Sequence, residues 1–111
     1  MATAIPLRRN YVAGEFVATK ARFTRLSPVN GEPVAEVAEA SRELVDRAVG
    51  SAREAQSGVW GRLPLAERAD VLHRIADGIE QRFEDFVQAE VADTGKPVAQ
   101  ARALDIPRGA A

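Results

Sequence analysis

The chain changes its hydrophobic rhythm near residue 40. Before that point short β-branched and aromatic runs alternate with turn residues: Tyr11-Val12, Phe16-Val17, Phe23 to Leu26 and Val34 to Val37, which is the pattern of short strands. Two hairpins are expected. Asn30-Gly31 is the stronger turn because both residues tolerate positive φ, whereas Ala13-Gly14 asks an alanine to do the same. Pro33 belongs at a strand entrance, where its missing N–H breaks no ladder bond. Neither hairpin carries a strong apolar face.

From Ser41 the spacing becomes helical. Ser41 offers an N-cap oxygen, and Glu43 and Asp46 place negative charge near the positive end of a helix dipole, predicting a helix over Ser41 to Gln56. Leu44, Val45, Ala48, Val49, Ala52 and Ala55 fall on one stripe, with Arg42, Glu43, Arg47, Arg53 and Glu54 outside it. Gly58 closes this helix, Trp60 falls in the connection, and Pro64 suits a helix start. A long run from Pro64 to Asp93 carries Leu65, Ala69, Leu72, Ala76, Ile79, Phe83 and Phe86, with a break expected between Gly78 and Phe83. Asp93-Thr94-Gly95-Lys96-Pro97 ends the pattern: Gly95 suits a left-handed cap and Pro97 the restart of a helix, which Pro107 should bend or restart again. The expected organisation is hairpins over about 1–40, helices over 41–94 and the start of a further helix over 95–111.

Composition narrows the function classes. At 111 residues there is room for one small domain, which buries only about two-thirds of the surface its unfolded chain exposes. Fifteen Lys plus Arg against sixteen Asp plus Glu leave a formal charge of -1, so no basic excess favours nucleic acid. With 46% hydrophobic and 28% charged residues the chain is too apolar to be disordered. No apolar stretch approaches the roughly 20 residues of a membrane span, and Met1 to Val12 lacks the apolar centre of an export signal, so a cytoplasmic location without membrane attachment is expected.

The residues that carry chemistry elsewhere are sparse here. Cysteine is absent, which removes a disulfide framework, a thiolate metal site and a thiol nucleophile from this stretch. His73 has no second histidine at ligand spacing and reads as a helix residue. Asp70, Asp77, Glu80, Glu84 and Asp85 alternate with Arg68, Arg74 and Arg82 as a solvated face. Gly58 and Gly61 match no phosphate-binding loop. The glycine and proline of the Asp93 to Pro97 turn are explained by helix termination, and Lys96 would matter for an anion only if it faced one.

Several segments in register add a resemblance. Asn10 to Val17, Ser27-Pro28-Val29-Asn30-Gly31-Glu32, Val37 to Ala40, Val45 to Val49 with Ala52-Arg53, Trp60, Ala66 to Asp77 and Asp93 to Pro97 follow one another as in the NAD(P)-dependent aldehyde dehydrogenases. Within that family Trp60 to Leu63, Leu72-His73-Arg74 and Asp105 to Ala111 look most like the 2-hydroxymuconic semialdehyde dehydrogenases of aromatic-ring catabolism. The resemblance covers the whole sequence but only about the first quarter of such an enzyme. It implies an α+β fragment of an α/β enzyme, two leading β-hairpins followed by amphipathic helices, with the Rossmann-type sheet absent.

The same resemblance implies a parent that oxidises an aldehyde to the acid with NAD or NADP and assembles as a homodimer or homotetramer. A cysteine attacks the aldehyde, a hydride passes to the nicotinamide, and an activated water releases the product. None of that machinery matches a residue here, so no catalytic or cofactor-binding residue is expected and the stretch alone should be inactive and bind no NAD. One family site reaches into it: a sodium or potassium ion held by backbone carbonyls matching Arg25 and Leu26 and a carboxylate matching Asp105. Against this, Asp105 also reads as a helix-capping residue ahead of Pro107. A competing function class is a freestanding interaction module without catalysis, which would fold cooperatively by itself. The fragment reading expects exposed apolar stripes and open strand edges instead.

Overall fold

The computed structural model describes residues 4–111. They divide into two compact units. The strand-rich unit comprises the described residues through Leu26 together with Glu32–Leu63, and the helical unit comprises Ser27–Gly31 with Pro64–Ala111.

In the strand-rich unit, β1 (Leu7–Arg8), β2 (Asn10–Val12), β3 (Glu15–Val17), β4 (Arg22–Leu26) and β5 (Pro33–Ala38) form two sheets. β2 and β3 pair antiparallel with Val12 opposite Glu15, so Ala13 and Gly14 make a two-residue turn with φ of 53° and 84°. Two positive φ values match the right-handed twist of a tight hairpin, and Ala13 adopts one despite its Cβ. Tyr11 and Phe16 face each other across this hairpin, edge to face at 5.0 Å, with the Arg9 guanidinium 4.9 Å from the Phe16 ring centre.

The second sheet has the order β1-β5-β4. β4 and β5 are antiparallel, as the hairpin pattern predicts, with an irregularity at Arg25/Leu26 opposite Pro33. Two features differ from the expectation. β1 pairs parallel to β5, Leu7 with Glu36 and Arg8 with Val37, so this sheet is mixed rather than a hairpin alone. A two-residue strand has no alternation to read, and its pairing is decided by the backbone bonds that β5 offers, including Glu36 N–H to the Pro6 carbonyl at 3.0 Å. Nor is the β4–β5 connection an Asn30-Gly31 two-residue turn. Residues 27–32 form a wider loop, closed by Gly31 N–H donating to the Ser27 carbonyl at 2.9 Å.

Val12, Ala35 and Ala38 are the buried apolar residues of this unit. The Asn10 side-chain amide donates to the Ala38 carbonyl at 3.2 Å and ties the small hairpin to β5. α1 (Arg42–Ser57) starts where predicted: the Ser41 hydroxyl accepts from Leu44 N–H at 3.2 Å, and Gly58 ends the helix. Of its apolar stripe Leu44 and Ala48 are half-buried, while Val45 and Val49 remain 49% and 47% exposed. Trp60 lies in a short helix, α2 (Val59–Arg62), and not in an irregular connection. Gly61 lets that helix turn back onto the end of α1, since a Cβ there would lie 1.6 Å from the Gln56 carbonyl oxygen.

The helical unit contains α3 (Leu65–Gln81), α4 (Phe83–Thr94), α5 (Val98–Gln100), a π turn (Ala101–Asp105) and α6 (Ile106–Ala110). The break in the long run falls at Arg82, φ -111° and ψ 27°, inside the expected interval. Gly78 itself stays helical. Gly95 takes the left-handed cap with φ 70°, its N–H donating to Val91 O at 2.9 Å. A side chain there would also press on the 27–31 loop, 3.0 Å from Val29 Cγ2 and 3.1 Å from Pro28 Cγ. The π turn answers Pro107: that residue has no N–H and its ring crowds the carbonyl four residues back, so the turn before it widens. Ile106 N–H accordingly reaches the Ala101 carbonyl, five residues back. Val87 and Ala101 are fully buried and form the centre of this unit, where α6 packs on α3 and the π turn on α4.

Candidate functional site

The densest polar constellation of the helical unit forms where α4 ends. Thr94 donates its hydroxyl to the Glu90 carbonyl at 2.7 Å and accepts from Lys96 N–H at 3.3 Å, which fixes the chain direction across Gly95. The reversal at Gly95 carries the Lys96 side chain back along α4, where Nζ donates to Glu90 Oε1 at 3.2 Å. The same ammonium lies 3.1 Å from Oδ1 of Asp105, presented by the π turn. Hydrogen bonding first to Asp105 and then to Glu90 raises the Lys96 pKa above its ordinary value, so the ammonium is charged at neutral pH. Asp105 Oδ2 is enclosed and takes no hydrogen bond.

Nearer the start of α4 Arg102 grips Glu84 through both terminal guanidinium nitrogens, Nη2 to Oε2 at 2.9 Å. This pairing lowers the Glu84 pKa and raises that of Arg102. The Arg102 guanidinium also lies 5.9 Å from the Phe83 ring centre. His73 is exposed on α3. Among the described residues no three His, Cys, Asp or Glu side chains are grouped to hold a metal ion, and no helix is long and apolar enough to cross a membrane.

The sequence pattern of the aldehyde dehydrogenase family matches residues 16–111. The chain belongs to the aldehyde dehydrogenase family. It is 49% identical over 105 residues to a 2-hydroxymuconic semialdehyde dehydrogenase of Pseudomonas sp. (strain CF600), covering 93% of this chain and 22% of that protein. A 2-aminomuconic 6-semialdehyde dehydrogenase of Pseudomonas sp is 48% identical over 103 residues, with 93% and 21% covered. Among solved structures, PnpE in complex with nicotinamide adenine dinucleotide superposes with a TM-score of 0.88 at 36% identity, covering 94% of this chain and 22% of that one. An indole-3-acetaldehyde dehydrogenase complexed with NAD+ gives a TM-score of 0.86 at 39% identity, with 93% and 21% covered. The chain therefore spans about a fifth of the length of the relatives it matches.

Two groups associated with aldehyde dehydrogenases can be tested against the residues present. Helix N-termini attract anions such as a pyrophosphate, and an acidic side chain in the first turn competes for the same positive end. The three long helices carry Glu43, Glu67, and Glu84 with Asp85 in their first turns, so each start repels an anion. Glu43 is further held ionised, its pKa lowered by its own backbone N–H and the Ser41 hydroxyl.

The alkali-cation expectation rests on Arg25, Leu26 and Asp105. Arg25 and Leu26 end β4 at the irregular position of its ladder, in the strand-rich unit; Asp105 belongs to the helical unit. Asp105 already has a cationic partner in Lys96. Lys96 takes Oδ1 of this carboxylate and leaves the enclosed Oδ2 without a hydrogen bond. The capping alternative is not realised, because Asp105 lies within the helical turn (φ -69°, ψ -51°) and its side chain makes no capping bond. The Lys96–Asp105 pair is not visible in the sequence pattern because nine residues and a change from α to π helix separate its members. The only available signal was an unassigned lysine beside a left-handed glycine.

Proposed function

We propose that this chain is the leading part of an aldehyde dehydrogenase that oxidises a muconic semialdehyde to its carboxylic acid with NAD as the hydride acceptor. The observation that carries this is the 49% identity running through almost the whole chain while covering only 22% of the semialdehyde dehydrogenase it matches. The 2-hydroxy and 2-amino semialdehyde enzymes match at 49% and 48%, which points to the shared muconic semialdehyde skeleton as the substrate class. NAD-bound structures among the neighbours support NAD over NADP.

In this reading the 111 residues are a scaffold of the cofactor domain, organised as leading strands and following helices. They hold no catalytic residue: the chain has no cysteine to attack the aldehyde, and its three long helices begin with acidic residues that disfavour a pyrophosphate. Exposed apolar positions such as Val45 and Val49 on α1, and Leu65 and Leu72 on α3, agree with surfaces that a longer subunit and its oligomer would cover. The parent is a soluble cytoplasmic homodimer or homotetramer acting on a small molecule.

The test compares two proteins. The longest reading frame that contains these residues should reduce NAD when given 2-hydroxymuconic semialdehyde, whereas the 111-residue chain should neither turn over nor release saturable heat when titrated with NAD. Failure of the long protein to oxidise any aldehyde would sink the enzymatic reading. Saturable NAD binding by the 111 residues would instead show that the cofactor site lies within them. A sharp, cooperative melt of a monodisperse 111-residue monomer would favour the freestanding module.

A further inference from the structure

We propose that Asn30 is a site of spontaneous chemical modification, converted to aspartate and isoaspartate through ring closure by the Gly31 nitrogen, and that the bond from Gly31 N–H to the Ser27 carbonyl governs the rate. The proposal stands on the 27–31 loop of the helical unit and does not rest on the enzymatic reading. The chain has two asparagines, and their settings are opposite. Asn10 lies in β2 opposite Val17, its side-chain amide donates to the Ala38 carbonyl at 3.2 Å, and the bulky Tyr11 follows it. A ladder-held backbone and a hindered following nitrogen keep that side chain from closing on the main chain. Asn30 is exposed, lies outside any strand or helix, and is followed by glycine. Gly31 has φ 74°, and beyond its chain neighbours no atom lies within 4 Å of where a Cβ would stand, so its nitrogen is open to approach.

Ring closure requires the Gly31 nitrogen to give up its proton to hydroxide and attack Cγ of Asn30. The new C–N bond forms as the Cγ–Nδ2 bond breaks, and Nδ2 leaves as ammonia with a proton taken from water. Water then opens the cyclic imide at either carbonyl, leaving an aspartate, or an isoaspartate whose main chain runs through the extra carbon. Nothing is oxidised or reduced, and a neutral amide becomes a carboxylate. In the folded loop the Gly31 N–H is committed to the Ser27 carbonyl at 2.9 Å, so the nitrogen is freed only when this bond opens. The Ser27 hydroxyl accepts from Val29 N–H at 3.2 Å and braces the same turn. Pro28 and Val29 also lie against the left-handed Gly95, where an added Cβ would come within 3.1 Å and 3.0 Å of their side chains. Opening a surface loop of this kind needs no unfolding of the helical centre around Val87 and Ala101. Conversion in the folded protein is therefore slowed by the loop and not prevented by it.

The longest protein that contains this chain is incubated at mildly alkaline pH, native and in denaturant, and followed by peptide mass spectrometry with an isoaspartate-specific methyltransferase as the label. Asn30 should convert in the native protein, several-fold more slowly than in denaturant, while Asn10 stays intact. Ser27→Ala removes one of the two turn bonds and keeps the carbonyl. It should speed native conversion about 2- to 10-fold, the factor that one lost hydrogen bond gives, and leave the rate in denaturant unchanged. Gly95→Ala, whose Cβ presses on Pro28 and Val29, should act in the same direction. Asn30→Gln should abolish the label in this peptide. An Asn30 that stays intact in the native protein while the denatured chain converts overturns the proposed site. Equal rates in native and denatured protein, or a native rate indifferent to both loop variants, overturn the control by the Ser27 carbonyl.

Discussion

In the strand-rich unit the buried residues are Val12, Ala35 and Ala38, two of them alanines on one strand, and the residues around them are placed by backbone ladders. In the helical unit the buried residues are Val87 and Ala101, and the elements around them are cross-linked by side-chain ion pairs: Lys96 with Glu90 and Asp105, and Arg102 with Glu84. Small core side chains let backbones approach closely, but they remove little apolar area from water. Each unit therefore leans on polar devices that hydrophobic burial alone would make secondary. The difference lies in where those devices reside, in the main chain of one and in the side chains of the other. Hydrogen exchange on the longest protein that contains this chain, which reads the two units separately, can break or sharpen that contrast.

The largest effect is expected at Val87, which is 0% exposed. Val87→Asp places an unpaired charge in the helical centre, costing about 3 to 5 kcal/mol. Exchange protection should collapse across α4 and the π turn while the β4–β5 ladder keeps its own. Loss of both together would mean that the units are energetically one. Next comes Ala38→Leu, which overfills the strand-rich centre and should cost about 1 to 3 kcal/mol, with faster exchange confined to β2, β4 and β5.

Ala13→Asn should act in the other direction. Asparagine tolerates the left-handed backbone at φ 53° better than alanine, because its short polar side chain can hydrogen-bond locally, and should stabilise the small hairpin by about 0.5 to 1 kcal/mol. Slower exchange at Tyr11 and Phe16 checks it, and no change would place the strain elsewhere. The smallest effect is the response of the Arg102–Glu84 pair to acid. The folded pKa of Glu84 lies below its ordinary 4.5, so the pair's stabilisation is present above that value and is lost as pH falls below 4.5 through the lowered one. Glu84→Gln should flatten this part of the acid response of the helical unit and leave the strand-rich unit unchanged. Because both side chains are largely exposed, added salt should weaken the pair as well.

The parts of this protein that its sequence determined are those specified within a few residues. The Ser41 cap, the stop at Gly58, the left-handed Gly95 and the break before Phe83 each follow from the stereochemistry of one residue and its immediate neighbours. The Ala13-Gly14 hairpin was equally legible as a position, although its cost sits on the alanine. The absence of a cysteine nucleophile is likewise a property of the list of residues alone. Tertiary structure decided what depends on partners distant along the chain. Leu7-Arg8 becomes a strand only because β5 offers it an edge, and the helical turn at Trp60 forms where Gly61 meets the carbonyl of Gln56. Asp105 is the clearest case: its sequence neighbourhood suggests a cap, and the π turn that Pro107 demands brings it to Lys96 instead. A carboxylate's role is set by the nearest opposite charge in space, which local sequence spacing does not encode once the chain has reversed direction between the two residues.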